Sequence, residues 1–407
     1  MKMRPANDGE TDARLRLAGK RECRVPARSP NSARRVFLVW AVAAIATTLT
    51  AVRSNAQADT PEFQRVSAAA AAAQQQHDIP RAIALYRQAV ALNPKWPDGW
   101  WFLGVLQYGN NDYAPARDAL THFIELTPDA GPAYAIRGLC EFETADYDQS
   151  LTDIQRALAK GAANQTRNTG ILRYHEVLLL SHASRFEEAL AASDEFSKGE
   201  ASPEIVQAVG MAGLRVSLMP QDLPPADPRR ALYTASGNAA LKYMSGDAAG
   251  AQQAFQDLFQ QFPDAANAHY LYGYLLFGKA PDQAIVEFKK ELALTPSNAS
   301  AEAMLGWAYL VQQNFPEARV HGAKAVTLSP GMTAAQLVLG RSLVETGDLK
   351  GGVEHLQQAL SMDPGNLETH LALVRAYSKS GLREDAQRER QQCLLITRES
   401  EPHAAQP

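Results

Sequence analysis

ASAEAMLGWAYLVQQNFPEARVHGAKAVTLSPGM, residues 299–332, runs without a gap into TAAQLVLGRSLVETGDLKGGVEHLQQALSMDPGN, residues 333–366, and this pair of 34-residue stretches decides the fold. Laid over each other they agree in kind at Leu305-Gly306 and Leu339-Gly340, at Ala318 and Gly352, at Ala325 and Ala359, and at Ser329-Pro330 and Asp363-Pro364. A proline in that place ends a helical pattern, because it lacks the backbone donor and pushes the preceding residue out of helical geometry.

The same phase runs outward. Asn93-Pro94, Thr127-Pro128 and Thr295-Pro296 close similar segments, and successive prolines are 34, 168, 34 and 34 residues apart. Eight residues before the proline stands a bulky apolar side chain (Tyr86, Leu120, Phe288, Leu356), and five before it stands Ala89, Phe123, Ala325 or Ala359. Twelve before it the residue is small: Ala82, Ala116, Ala284, Ala318 or Gly352. Units are expected at 63–96, 97–130, 131–164, 170–202, 232–265, 266–298, 299–332, 333–366 and 367–400. Two short amphipathic helices per unit cannot bury their apolar stripes alone, so stability requires stacking on neighbours. Gly104, Gly138, Gly273, Gly306 and Gly340 would let a neighbouring helix come close, while Gly246, Gly347 and Gly381 fall where the chain turns between helices.

This pattern resembles the tetratricopeptide repeat, with its aromatic, Leu-Gly, Tyr, Ala, Phe, Ala and Pro positions in order over nearly the whole chain beyond residue 58. The resemblance implies an all-α, right-handed superhelical solenoid of helix–turn–helix repeats. It also implies that first helices line a concave groove where ligands lie.

Two stretches depart from the repeat. Residues 1–58 carry 11 basic and 4 acidic side chains, and the remainder carries 29 and 40. Val36 to Val52 is an apolar run of 17 residues, and Ala56-Gln57-Ala58 has the small-x-small form of a signal-peptidase site. Residues 1–58 are therefore read as a signal peptide with a long basic first part, exported by the general or the twin-arginine route (Arg34-Arg35), giving a periplasmic or secreted protein. The alternative is an anchor to the inner membrane by residues 36–52, the one case in which a membrane is a partner. Farther on, residues 203–218 read as one more helix with no evident partner, followed by the proline-rich stretch PQDLPPADP at 220–228. The chain divides accordingly into an N-terminal array (59–218), a joint (219–231), a C-terminal array (232–400) and a disordered tail (401–407).

Chemistry is sparse. A net charge of −11 beyond residue 58 argues against nucleic acid as a partner. The stretch Gly273 to Lys279 fits G-x-x-x-x-G-K, but Ala280 stands where a hydroxyl should follow, and the segment sits in a repeat helix. His175 and His182, seven apart, are the best metal candidates, yet no matching ligand accompanies them, so no metal or other cofactor is expected. Cys140 and Cys393 read as small buried side chains, and nothing indicates an enzyme.

What remains is the groove. Its inward positions hold Trp101, Tyr108, Phe142, Tyr174, Tyr233, Tyr243, Tyr270, Tyr274, Phe277 and Trp307, with Arg341 and Arg375 one repeat apart near the C-terminal end beside Lys379. Tyrosine and tryptophan suit contact surfaces, and paired arginines can hold a carboxylate, although Glu345 and Glu368 are near enough to pair with them. The expected function is a scaffold or adaptor for protein or extended peptide segments in the bacterial envelope. A carbohydrate-binding or enzyme-accessory module using the same aromatics is the alternative. The Lys/Asn carboxylate clamp of chaperone-binding relatives is absent from these positions.

Overall fold

The small, bulky and proline positions of each unit shape two helices that lie against each other. In the computed structural model, which describes residues 60–161 and 166–400, the first four hairpins are α1–α2 (Pro61–Gln75, Ile79–Leu92), α3–α4 (Pro97–Gly109, Tyr113–Leu126), α5–α6 (Gly131–Glu143, Tyr147–Ala159) and α7–α8 (Thr166–His182, Phe186–Ser193). A single helix, α9 (Pro203–Gly213), follows. Five more hairpins complete the chain: α10–α11 (Arg229–Met244, Ala248–Gln261), α12–α13 (Ala268–Leu276, Pro281–Leu294), α14–α15 (Ala299–Val311, Phe315–Leu328), α16–α17 (Thr333–Glu345, Leu349–Met362) and α18–α19 (Leu367–Lys379, Arg383–Ser400). No strand occurs among the described residues. The signal and anchor readings of residues 1–58 and the tail at 401–407 lie outside the described residues. No described helix is long and apolar enough to cross a membrane.

The core follows the repeat phase. Tyr86, Leu120, Phe288 and Leu356, eight residues before their prolines, are all 2 % exposed or less. Each contributes about 1.5–3 kcal/mol relative to an exposed position. The small residues twelve before the proline let first and second helices meet: Ala82, Ala116, Ala284 and Ala318 have no exposed surface. First helices of successive units also touch one another (α3 with α5, α10 with α12, α14 with α16, α16 with α18), and no comparable pair of second helices occurs among the described residues. The stack therefore curves with its first helices inside.

In four successive hairpins the first helix is also pinned to the second by a polar pair at one register. His269 Nδ1 meets Glu287 at 2.6 Å, His321 Nδ1 meets Glu302 at 2.5 Å, His355 Nδ1 meets Gln336 at 2.6 Å and His370 Nδ1 meets Glu389 at 2.6 Å. In α5–α6 the pin is an ion pair. Arg137 grips Asp153 through Nε at 2.5 Å and a second nitrogen at 3.0 Å. Glu141, one turn along α5, is 5 % exposed and lies 3.7 Å from the same Nε, and its Oε2 has no hydrogen-bond partner among the described residues. Burial above all, then the nearby Asp153, pushes its pKa up to about 8, and Arg137 only partly opposes this.

Turns between paired helices, that of α12–α13 apart, use a left-handed residue. Gly246, Gly347 and Gly381 fill it at φ of 87°, 97° and 74°, as their sequence places imply, but His77, Asn111, Ala145, Ser184 and Gln313 occupy the same place at φ near 60°. A left-handed Ala strains its Cβ against the backbone by about 1–2 kcal/mol, partly offset by the extra freedom glycine has in the unfolded chain. Ala145→Gly, at an exposed turn, is expected to stabilise the protein by about 0.5–1 kcal/mol in urea unfolding, and an unchanged midpoint would mean that this turn carries no strain.

The helix at 203–213 does have a partner, contrary to its sequence reading. α9 packs antiparallel on α10, and a Cβ placed on Gly210 would lie 1.8 Å from the carbonyl oxygen of Tyr233, one on Gly237 1.9 Å from that of Val206. Backbone meets backbone there, which only glycine permits. The proline-rich stretch that follows is stitched down rather than loose. Met219 and Leu223 are buried, and the Arg230 guanidinium donates to the carbonyls of Pro220 (3.0 Å), Leu223 (2.6 Å) and Pro224 (2.9 Å) and to Gln207 Oε1 (2.9 Å).

Candidate partner-docking face

α9 also determines how much of the inner face is open. Its C-terminal end sits on α12: a Cβ on Gly213 would meet the Leu271 side chain at 2.7 Å, and Asn267 Nδ2 donates to the Leu214 carbonyl at 3.1 Å. Just beyond, Arg215 lies 4.8 Å over the Phe186 ring and 5.3 Å over the Tyr270 ring, and it pairs with Glu187. The Tyr270 hydroxyl donates to Glu187 Oε1 at 2.9 Å, across 83 residues of sequence. Burial, then the Glu187 charge, keeps the Tyr270 phenol well above its ordinary pKa.

Several predicted groove residues are therefore core. Trp101 is 2 % exposed against Phe123, Tyr233 and Tyr270 are 3 % and 2 % exposed, and Tyr108 is buried as well. None of the four is open to a ligand, because neighbouring helices cover them. Tyr274 shares the Tyr270 face, with ring centroids 6.3 Å apart, and is half-buried with Phe277. Tyr243 is half-buried beneath Lys279 Nζ at 5.3 Å. Phe142 meets His175 edge-on at 4.7 Å, and half-buried Tyr174 has its pKa pushed up to about 12 by burial and then by Glu204. His175 and His182 do not converge. Their Nδ1 atoms meet the carbonyls of Ile171 at 2.8 Å and Ser217 at 3.2 Å, and no described group of three His, Cys, Asp or Glu could hold a metal ion. Gly273 lies in α12 against the Phe288 ring, and Cys140 and Cys393 are buried free thiols.

Four inward positions remain together on α14, α16 and α18. Half-buried Trp307 carries the Arg341 guanidinium 4.8 Å over its ring. Arg341 reaches Glu368 at 3.4 Å, while Glu345 holds both Arg375 Nε at 2.6 Å and Lys379 Nζ at 2.7 Å. Val311, four residues after Trp307, and Leu371, four before Arg375, share those helix faces and are 56 % and 46 % exposed. The sequence paired these arginines with these glutamates correctly. It missed the two exposed aliphatics, which carry no signal beyond helical spacing. The result is a strip that brings together an aromatic ring, exposed aliphatics and forked cations.

Family profiles agree with this architecture. A tetratricopeptide-repeat family profile matches residues 67–131, 103–166 and 237–284, and a second profile of the same description matches 343–406. Among solved structures, a crystal structure of MamA is 23 % identical over 40 % of this chain and 95 % of its own, with a TM-score of 0.36. MamA from Desulfovibrio magneticus RS-1 is 18 % identical over 42 % and 97 %, with a TM-score of 0.38. Yeast Tom70 is 12 % identical over 77 % and 81 %, with a TM-score of 0.31. No curated protein matches. Repeats of this kind are typical of protein-binding scaffolds. On its repeat phase, its paired helices and these profile matches, the chain belongs to the tetratricopeptide-repeat family.

Proposed function

We propose that this protein is a non-catalytic scaffold that holds an extended segment of a partner protein along the first helices of its C-terminal hairpins, in the bacterial cell envelope. The observation that carries the reading is the Trp307–Arg341 stack, with exposed Val311 one helical turn from Trp307 and exposed Leu371 one turn from Arg375. An aromatic and an arginine side by side, with apolar area around them, is the composition of an interaction hot spot. The same stack weighs against a sugar platform, since the guanidinium occupies a ring face that a sugar would need. Envelope placement is supported by the apolar run at 36–52 and the Ala56-Gln57-Ala58 site, and N-terminal sequencing of the exported protein should begin at Asp59.

Trp307→Ala combined with Leu371→Ala is expected to weaken retention of an envelope partner at least tenfold while the helical circular dichroism stays unchanged. Equal retention by parent and variant would remove this face from consideration.

A further inference from the structure

The charges on this strip do not balance, and the imbalance has a place. Arg341, Arg375 and Lys379 face two carboxylates. Glu345, with a side chain only 12 % exposed, is fully engaged by Arg375 and Lys379. Arg341 makes its ion pair with Glu368, at 3.4 Å and on a side chain 56 % exposed. Burial first, and then repulsion from Arg375, hold the Arg341 pKa below its ordinary value in spite of Glu368 and Glu345. A forked guanidinium stacked on an indole, with one long contact to an exposed acid, gains most from a second carboxylate.

We infer that the strip selects a partner segment bearing acidic side chains in register with Arg341 and Arg375, an inference that rests on the docking reading above. Trp307, Arg341 and Arg375 recur every 34 residues, so they stand on three adjoining first helices. Packed helices lie about 8–10 Å apart and an extended chain advances about 3.3 Å per residue, so each helix spans about three residues of ligand. The segment then has an apolar or aromatic residue against Trp307 and Val311, and Asp or Glu about three and about six positions from it.

The probe is a pair of labelled peptides of sequence Phe-Ala-Ala-Glu-Ala-Ala-Glu and Phe-Ala-Ala-Gln-Ala-Ala-Gln between Gly-Ser ends, acetylated and amidated so that only side chains carry charge. Fluorescence anisotropy with the purified protein is expected to show the Glu peptide binding at least tenfold more tightly. That advantage should shrink between about 50 mM and about 500 mM salt, where the screening length falls from about 14 Å to about 4 Å. Arg341→Glu with Arg375→Glu should abolish the preference, whereas Lys350→Glu, at a cation 92 % exposed on α17, should leave it intact. Equal binding of the two peptides, binding of neither, or an equal effect of Lys350→Glu overturns the acidic preference. If partner retention still depends on Trp307 in any of those cases, the docking reading stands and only the ligand class falls.

Discussion

Gly210→Ala should be among the most damaging single-methyl additions in this protein, costing about 3 kcal/mol or more, the upper end for overpacking. The added Cβ would sit 1.8 Å from the Tyr233 carbonyl oxygen, where no rotamer change can relieve it, because both colliding groups are backbone. α9 and α10 must separate, and with them go the contacts of Gly213 to Leu271 and of Asn267 to Leu214. Gly331→Ala is the matched control, since a Cβ there meets nothing within 4 Å. Urea unfolding of the two variants measures the difference, and limited proteolysis between residues 214 and 228 reads out the loosened junction. If the two substitutions are equally tolerated, the packing of α9 on α10 does not hold the arrays together.

Glu141→Gln should stabilise the protein at pH 8 and do little at pH 5. The carboxyl is held near pKa 8 when folded, against 4.5 as its ordinary value. Below the ordinary value both states are protonated and the folded one carries no penalty. As pH rises from there toward 8 the unfolded chain gives up its proton and the folded one does not, so stability is lost across that window. The loss amounts to about 1–4 kcal/mol at one to three pKa units of linkage, and Gln, which cannot ionise, escapes it. The site accepts the substitution, because Gln107 occupies the equivalent place one repeat earlier and is 2 % exposed. Denaturation midpoints at pH 5 and pH 8 decide the matter. A variant that tracks the parent at both values would mean that Glu141 is ionised in the folded state.

The helices and their pairing were legible because the 34-residue period writes the same small, bulky and proline positions into each unit, and those positions are buried as the pattern requires. Arg341 and Arg375 were legible for the same reason: one repeat apart means one face. The cover over Tyr270 was not. Spacing at i, i+4, i+7 placed Tyr270, Tyr274 and Phe277 on one stripe, but Glu187 and Arg215 reach Tyr270 from 83 and 55 residues away, outside any periodic relation. Residues 203–213 looked partnerless because helix-to-helix contact through Gly210 and Gly237 leaves no apolar stripe to read. The turns were half legible. Glycine announced three left-handed positions and Asn111 and His77 are of types that tolerate that geometry, while Ala145, Ser184 and Gln313 adopt it with no warning in their chemistry.

A repeat stack ordinarily flexes like a spring, each joint yielding a few degrees so that the whole can lengthen or tighten around its cargo. The bare meeting of α9 with α10, and the arginine that rivets the following loop to three carbonyls, take that compliance out of the middle of the molecule. Strain that reaches this junction is therefore expected to pass across it with less loss than at a joint packed through side chains alone.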